Sequence, residues 1–218
     1  MIVTIDGPSG SGKSTAAKRL AERLGFEFLD TGAMFRTIAL ALMRRDIDAK
    51  SCDEDIEPLL PHISIDVQPG RIWLNGEEVT HLIRTPEVSS GASKVAVFSC
   101  VRRFLAAQQR HVAHGRNMIC EGRDQGTVVF PDALVKFFVT ASPAARAERR
   151  FQELRAKGDP TTFDEVLHAL MERDDRDSTR AIAPLMAADD ALVLDTSSMA
   201  LNDVIDFMER EIRRCLRG

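Results

Sequence analysis

The strongest constraint on this chain lies within its first fifteen residues. The apolar run 2–5 is followed by GPSGSGKS at 7–14, which matches the pattern G-x-x-x-x-G-K-[ST] in full. Glycines at these positions let consecutive backbone N–H groups point inward at phosphate oxygens, and a following helix adds the positive end of its dipole. Because the match lies between a predicted strand and a predicted helix, the sequence predicts a phosphate-binding loop, hereafter the P-loop.

The P-loop pattern also assigns chemical roles to the residues that end it. Lys13 is predicted to contact the β- and γ-phosphates of a bound nucleotide, and the hydroxyl of Ser14 is predicted to ligate Mg²⁺. The pattern leaves the phosphate acceptor open, since GTPases, ATPases and small-molecule kinases share it. The predicted ATP-binding set comprises Gly7, Pro8, Ser9, Gly10, Ser11, Gly12, Lys13, Ser14 and Thr15.

Five short apolar runs alternate with helical patterns along the chain. The runs are 2–5, 26–29, 117–120, 135–140 and 191–194. Such alternation predicts an α/β fold with a mostly parallel, five-stranded sheet covered by helices on both faces. Helix ends are predicted by a C-cap at Gly25, by Ser142 and Pro143 at a helix start, and by a capping box of Thr162 and Glu165.

One stretch departs from this alternation of strands and helices. Ile63, Ile65 and Val67 alternate with polar residues before a turn at 68–70, and Asn-Gly at 75–76 marks a second turn. Asn-Gly between alternating segments is a strong hairpin signal. A small antiparallel sheet is therefore predicted near 61–82, and the pattern is helical again over 87–114.

Composition excludes several other classes of protein. The chain has 218 residues, of which 44% are hydrophobic and 28% charged, with a net charge of −4. These values are typical of a globular protein and do not favour nonspecific binding of nucleic acid. The four cysteines lack the spacing of a metal site and are expected to be reduced thiols. Since no signal peptide or long apolar span is visible, we expect a cytoplasmic protein with no membrane partner, and a monomer because no coiled-coil pattern appears.

Three polar clusters are candidates for the acceptor site. The first, DTGAMFR, follows the second predicted strand, and it offers Thr31 and Arg36. Thr31 is also a candidate cap for the next helix, and a lone helical arginine is usually solvated. The second cluster, EGRDQGTVVFP, follows the third predicted strand and offers Arg123 and Asp124. An ordinary surface turn is the alternative interpretation of this second cluster.

The third cluster, ERDDRDSTR at 172–180, combines acids and arginines. Arg173, Asp177 and Arg180 are spaced i, i+4, i+7 and share one face of a helix. Such a face suits a phosphate and a ribose diol. A salt-bridged, solvent-exposed helix face fits the spacing equally well.

Several longer segments together resemble bacterial cytidylate kinases, in the nucleoside monophosphate kinase group of P-loop NTPases. The matching segments are TIDGPSGSGKST, LDTGAMFR, IRTPEV, ASKVAVFSCVR, EGRDQGTVVFPDA and ERDDRDSTRAIAPL. The resemblance extends along almost the whole chain and implies a three-layer P-loop fold. It also implies an enzyme that uses ATP and Mg²⁺ to phosphorylate CMP or dCMP, giving CDP or dCDP and ADP.

The resemblance further implies a division of the chain. A single kinase chain is expected, with a core of about 1–60, 83–148 and 181–218. The small antiparallel sheet would belong to a CMP-binding insert of about 61–95. The arginine-rich stretch at 149–159 would belong to a lid over ATP, at about 149–180.

Residue roles are implied position by position. Ser93, Arg102 and Asp124 would read the cytosine. Arg36, Arg123 and Arg173 would hold the CMP phosphate and the transferring group, while Asp177 and Arg180 would contact the sugar. The implied CMP-binding set is Thr31, Arg36, Ser93, Arg102, Arg123, Asp124, Arg173, Asp177 and Arg180, and the implied catalytic residues are Lys13, Arg123 and Arg173.

Three positions depart from the pattern of the family. Phe35 stands where tyrosine is frequent, Glu121 where aspartate is common, and Ser14 where some relatives have glycine. The phenylalanine loses a hydroxyl contact but retains a ring for stacking. The sequence leaves open a kinase for another acceptor, such as UMP, AMP, dTMP or shikimate, and a P-loop ATPase switch.

Overall fold

The predicted alternation of strands and helices produces one parallel sheet. In the computed structural model, which describes residues 1–47 and 52–217, five strands lie in the order β2-β6-β1-β7-β8. Their bounds are β1 Ile2–Asp6, β2 Glu27–Asp30, β6 Met118–Gly122, β7 Val135–Thr140 and β8 Leu192–Asp195. All five predicted strands are confirmed, each to within two residues of the predicted ends.

The remaining elements are helices and a second, smaller sheet. The α-helices are α1 Lys13–Leu24, α2 Thr31–Met43, α3 Asp53–Ile56, α4 Pro86–Val95, α5 Ser99–Ala113, α6 Pro143–Arg155, α7 Phe163–Thr179 and α8 Leu201–Cys215. The small strands are β3 Ile65–Gln68, β4 Arg71–Leu74 and β5 Glu77–Glu78. In the described part of the chain, no helix is long and apolar enough to cross a lipid bilayer.

The chain divides into two units. The first comprises Met1–Leu29 with Arg116–Gly218, and the second comprises Asp30–Gly115. The predicted CMP-binding insert lies within the second unit, and the predicted lid lies within the first. The functional boundaries implied by the resemblance stay predictions.

The core of the first unit is built around β1. This strand pairs with β6 on one side and β7 on the other, with Val3 opposite both Ile119 and Val135. Val3 and Ile5 are fully buried beneath α1 and α8 residues such as Leu20. A central strand covered on both faces is buried along its length, which explains why the run 2–5 is mostly apolar and why its one polar residue, Thr4, is buried as well.

Local capping signals in the sequence are realised with one exception. Gly25 ends α1 at φ 66°, Ser142 accepts the N–H of Ala145 at 3.2 Å, and Thr162 forms the predicted capping box with Glu165. The prediction that Thr31 caps α2 is wrong. Asp30 is the cap, since its carboxylate accepts the N–H of Ala33 at 2.8 Å, while Thr31 is the first helical residue.

In the second unit, β3, β4 and β5 form the predicted antiparallel sheet. Ile65 lies opposite Leu74, and the tight turn between β4 and β5 has positive φ at both Asn75 and Gly76. Positive φ at both central residues matches the twist of a hairpin, which is why Asn-Gly is favoured there. The predicted hairpin is confirmed, although its last strand has only two residues.

The helical pattern over 87–114 corresponds to two helices, α4 and α5, with a break between them. Asp53 explains where α5 starts, since its carboxylate accepts the Ser99 hydroxyl and, at 3.3 Å, the N–H of Cys100. A carboxylate at a helix N-terminus satisfies N–H groups that have no partner in the helix. The break depends on a residue 46 positions away from Ser99, so helical periodicity did not reveal it.

Candidate active site

The P-loop connects β1 to α1 with three glycines at positive φ. Gly7, Gly10 and Gly12 have φ values of 147°, 77° and 85°. Gly12 precedes α1 and offers no side chain to cap it, so the first-turn N–H groups have no side-chain partner at this cap. Such a glycine-rich entry into a helix is the arrangement that backbone binding of phosphate requires.

Lys13 begins α1 and is almost completely buried. Its ammonium group donates to the carbonyl of Pro8 at 2.9 Å and lies 3.4 Å from a carboxylate oxygen of Glu121. Burial lowers the pKa of Lys13 to about 7, the charge of Arg123 acts in the same direction, and Glu121 opposes both. The lysine is therefore held in the P-loop as a group that a bound anion would readily charge.

The second and third polar clusters meet at Asp177. The Arg123 Nε group donates to the Asp177 carboxylate at 3.2 Å, and the guanidinium groups of Arg173 and Arg180 lie 3.9 and 3.7 Å from that carboxylate. Burial opposes ionisation of Asp177, but the three arginines outweigh it and lower the pKa of this carboxyl group. The cluster therefore keeps Asp177 ionised well below neutral pH.

Glu121 joins this arginine cluster to the P-loop. Its carboxylate lies 3.8 Å from Arg123 and 3.4 Å from Lys13, and the side chain is buried. Four basic side chains thus surround two carboxylates beside a phosphate-binding loop, within one unit. The spacing at 172–180 produces ion pairs, as the alternative interpretation expected, but they centre on the buried Asp177 and not on an exposed helix face.

Asp124 occupies a turn that the end of β1 fixes. The two carboxylate oxygens of Asp6 accept the N–H groups of Gln125 at 2.9 Å and Gly126 at 2.7 Å. A side chain at Gly126 would lie 2.9 Å from the Thr4 hydroxyl. Asp124 itself is 4% exposed, so the interpretation of its segment as an ordinary surface turn is wrong.

Asp6 is a buried carboxylate beside this turn that the sequence patterns did not indicate. Burial raises its pKa to about 7, even though the Gly126 and Gln125 N–H groups favour the carboxylate. The available signal was its position as the last residue of a buried strand directly before the P-loop. A polar side chain at that point has to find partners within the fold.

The other predicted acceptor residues lie in the second unit. Arg36 pairs with Asp30 at 3.0 Å. Arg102 is buried, donates to the carbonyl of Ala96 at 3.1 Å, and places its guanidinium carbon 5.5 Å from the centre of the Phe35 ring. The ring at position 35 therefore stacks on a cation even without a hydroxyl group.

The predicted site residues are thus divided between two units. The first unit holds the P-loop, Lys13, Arg123, Asp124, Arg173, Asp177 and Arg180, and the second holds Thr31, Arg36, Ser93 and Arg102. Thr31 and Ser93 are buried, whereas Ser14 and Thr15 are exposed in the first turn of α1. The ligand contacts assigned to all of these residues stay predictions.

The chain is similar to proteins of one known family. The chain matches the cytidylate kinase family over residues 3–214. A cytidylate kinase from Solibacter usitatus is 47% identical over 215 residues, covering 98% of this chain and 92% of that protein. One from Thermotoga maritima is 44% identical over 211 residues, covering 97% of this chain and 96% of that protein. The solved structure of an uncharacterized protein from Eubacterium ventriosum shares the fold, with a TM-score of 0.52, 12% identity and 98% of each chain covered. The chain therefore belongs to the cytidylate kinase family.

Proposed function

We propose that this protein transfers the γ-phosphoryl group of ATP to CMP or dCMP, giving ADP and CDP or dCDP. The observation that carries the proposal is the continuous set of ion pairs from Lys13 through Glu121 and Arg123 to Asp177. It joins a phosphate-binding loop to an arginine cluster suited to a second phosphate. Membership of the cytidylate kinase family supports both the reaction and the acceptor.

At the donor end, the P-loop amides and Lys13 hold the β- and γ-phosphates of ATP. Ser14 is exposed in the first turn of α1 and offers a hydroxyl oxygen for Mg²⁺. A single protein ligand is enough, because Mg²⁺ usually takes one or two protein ligands and completes its coordination with phosphate oxygens and water. When bound, the ion would supply positive charge that offsets the negative charge of the ATP phosphates.

At the acceptor end, Arg36, Arg123 and Arg173 hold the CMP phosphate, and Asp177 with Arg180 contacts the sugar. The accepting phosphate oxygen is already anionic, so the reaction needs no general base. The main barrier is repulsion between two polyanions, and the arginines lower it by neutralising the oxygens that carry charge in the transition state.

Three side chains of the protein would recognise cytosine through hydrogen bonds. Its 4-amino group is a donor and its N3 and O2 atoms are acceptors. A carboxylate such as Asp124 accepts from the amine, while Arg102 and Ser93 donate to the two acceptors. Since Asp124 is buried, a base without the amine would place no hydrogen-bond donor against this carboxylate.

The proposed reaction is tested by ADP release from Mg-ATP with CMP, dCMP, UMP, AMP, GMP or dTMP as the sole acceptor, beside a blank with no acceptor. Fast turnover with CMP and dCMP, slow turnover with UMP and none elsewhere is the expected result. Equal rates with all six acceptors, or ADP release in the blank alone, would contradict the assigned acceptor and leave only the nucleotide-binding loop.

Asp124→Ala is expected to lower the preference for CMP over UMP, measured as a ratio of kcat/KM values, by about 10- to 100-fold. The physical reason is that the carboxylate accepts from the cytosine amine and repels the O4 acceptor of uracil. The KM for ATP should stay within about two-fold of its original value. Asp132→Ala, an exposed carboxylate on the same segment, is the control. An unchanged preference in Asp124→Ala would remove this residue from base recognition.

ATP binding is expected to take up a proton through Lys13. Because burial lowers the pKa of Lys13 to about 7, the lysine of the free protein loses its proton as the pH rises above neutrality, and the phosphates raise its pKa on binding. Titration calorimetry in buffers of different ionisation enthalpy should therefore show greater proton uptake for the native chain than for Lys13→Met at pH 8. The difference should vanish near pH 6, where the free lysine is already charged. Equal uptake by both proteins at pH 8 would contradict the lowered pKa.

A further inference from the structure

Arg146, on α6, is a buried arginine that none of the roles above uses. Only 3% of its surface is exposed. Its Nε group donates to the carbonyl of Ala141 at 2.9 Å, and another guanidinium nitrogen donates to the carbonyl of Ser9 at 3.1 Å. The same nitrogen lies 2.6 Å from a carboxylate oxygen of Asp174. One guanidinium therefore contacts the P-loop and α7 together.

The contact with the P-loop leaves little space for adjustment. A Cβ atom at Gly10 would lie 3.2 Å from the Cβ of Arg146 and 3.4 Å from its carbonyl oxygen, so the loop backbone passes directly over α6. Gly10 also has a positive φ of 77°. Because the Ser9 carbonyl belongs to the peptide unit that supplies the N–H of Gly10, a hydrogen bond to that carbonyl fixes how this amide is oriented.

The contact with α7 reaches the helix that carries the arginine cluster. Asp174 follows Arg173 directly and precedes Asp177 by three residues, so it lies about one turn from the buried carboxylate. Its side chain is 24% exposed, and within residues 1–47 and 52–217 its other carboxylate oxygen is buried without a hydrogen-bond partner. A displacement or rotation of α7 would therefore change the position of the Asp174 carboxylate relative to Arg146.

We propose that Arg146 and Asp174 couple the two nucleotide sites: a phosphate bound to the arginines of α7 sets the position of Asp174, and Arg146 transmits that position to the Ser9 carbonyl of the P-loop. Both are positioning residues, since neither is assigned a contact with substrate. The inference rests on the proposed function, because it takes Arg173, Asp177 and Arg180 as ligands of the acceptor. Its consequence is that CMP and ATP bind more tightly together than apart.

The coupling factor is the Kd for CMP alone divided by the Kd for CMP with a saturating nonhydrolysable ATP analogue and Mg²⁺. Titration calorimetry measures both constants for the native chain and for Asp174→Asn, which keeps the size of the side chain and removes its charge. We expect a factor well above one in the native chain and a decrease of about 5-fold or more in the variant. A residue that merely supported the fold would weaken both constants and leave their ratio unchanged.

Two further variants show whether a loss of coupling comes from the Arg146–Asp174 contact or from general destabilisation of the fold. Arg146→Lys keeps a positive charge but cannot reach Ser9 and Asp174 with one planar group, so it should also lose coupling. Asp190→Asn is the matched control, since Asp190 lies 2.8 Å from the buried Lys136 and its loss also leaves a buried cation unpaired. This control should keep the native coupling factor. Thermal denaturation of all three variants shows that each is folded at the temperature of titration.

The possible results distinguish failure of the proposed coupling from failure of the proposed function on which it rests. Native protein without CMP kinase activity would overturn the proposed function. If the native protein is active but has a coupling factor of one, only the proposed coupling is overturned. The same holds if Asp174→Asn and Arg146→Lys both keep the native coupling factor within two-fold. If Asp174→Asn does not fold, Arg146→Lys decides the question by the same ratio.

Discussion

Replacing Lys13 with alanine is expected to lower kcat/KM for phosphoryl transfer by at least about 10³-fold. Its ammonium group is the basic side chain of the P-loop, and it stands beside the phosphates that carry charge in the transition state. The fold should survive the change, because Glu121 keeps Arg123 as a partner at 3.8 Å after the lysine is removed. Steady-state kinetics with Mg-ATP and CMP, together with thermal denaturation, measure both effects.

Lys18→Ala is the control for this experiment, because Lys18 is an exposed lysine on the same helix. It should retain native turnover and native stability. Turnover close to that of the native chain in Lys13→Ala would exclude this lysine from the mechanism. A loss of turnover that accompanied unfolding would assign Lys13 a structural role instead.

Replacing Gly7 with alanine is expected to lower the free energy of unfolding by about 4 kcal/mol or more. The added Cβ would lie 2.0 Å from the carbonyl oxygen of Val139, which belongs to the neighbouring strand β7. Gly7 also has a φ of 147°, a conformation that side chains rarely adopt. Since Val139 is part of the buried core, the backbone cannot yield locally. Urea denaturation followed by circular dichroism measures the loss.

Gly25→Ala separates the two causes of that loss. Gly25 also has a positive φ, 66°, but a side chain there would meet no atom within 4 Å. Its replacement should cost only the conformational penalty of about 1–2 kcal/mol. Equal losses in the two variants would contradict the assignment of the Gly7 effect to its close approach to β7.

Local signals in the sequence were sufficient for most elements of the fold. The run 2–5, the Asn-Gly turn at 75–76 and the capping box at Thr162 each depend on residues close together in the chain, and each was predicted correctly. The errors arose where a second residue competed or a distant one intervened. Asp30 displaced Thr31 as the cap of α2, and Asp53 set the start of α5 from 46 residues away.

In the candidate site, too, contacts between residues distant in sequence could not be predicted from local patterns. Spacing alone placed Arg173, Asp177 and Arg180 on one helix face but left a solvated, salt-bridged face as an equal alternative. Burial of Asp177 against Arg123, 54 residues away in sequence, shows that these ion pairs centre on a buried carboxylate, which the spacing did not specify. The sequence patterns did not indicate Arg146 or Asp6, because the partners of both residues are distant in the chain. Arg146 pairs with Ser9 and Asp174. Asp6 accepts the N–H groups of Gln125 and Gly126.

By itself, the sequence determined the phosphate-binding loop, the order of strands and helices, and the resemblance to a kinase family. These follow from contacts within a few residues, such as glycine torsions, apolar periodicity and helix caps. The tertiary structure alone decided which charges are buried together, that burial lowers the pKa of Lys13, and that Arg146 joins the P-loop to α7. Burial and charge pairing are properties of groups brought together from distant parts of the chain, so no local pattern in the sequence specifies them.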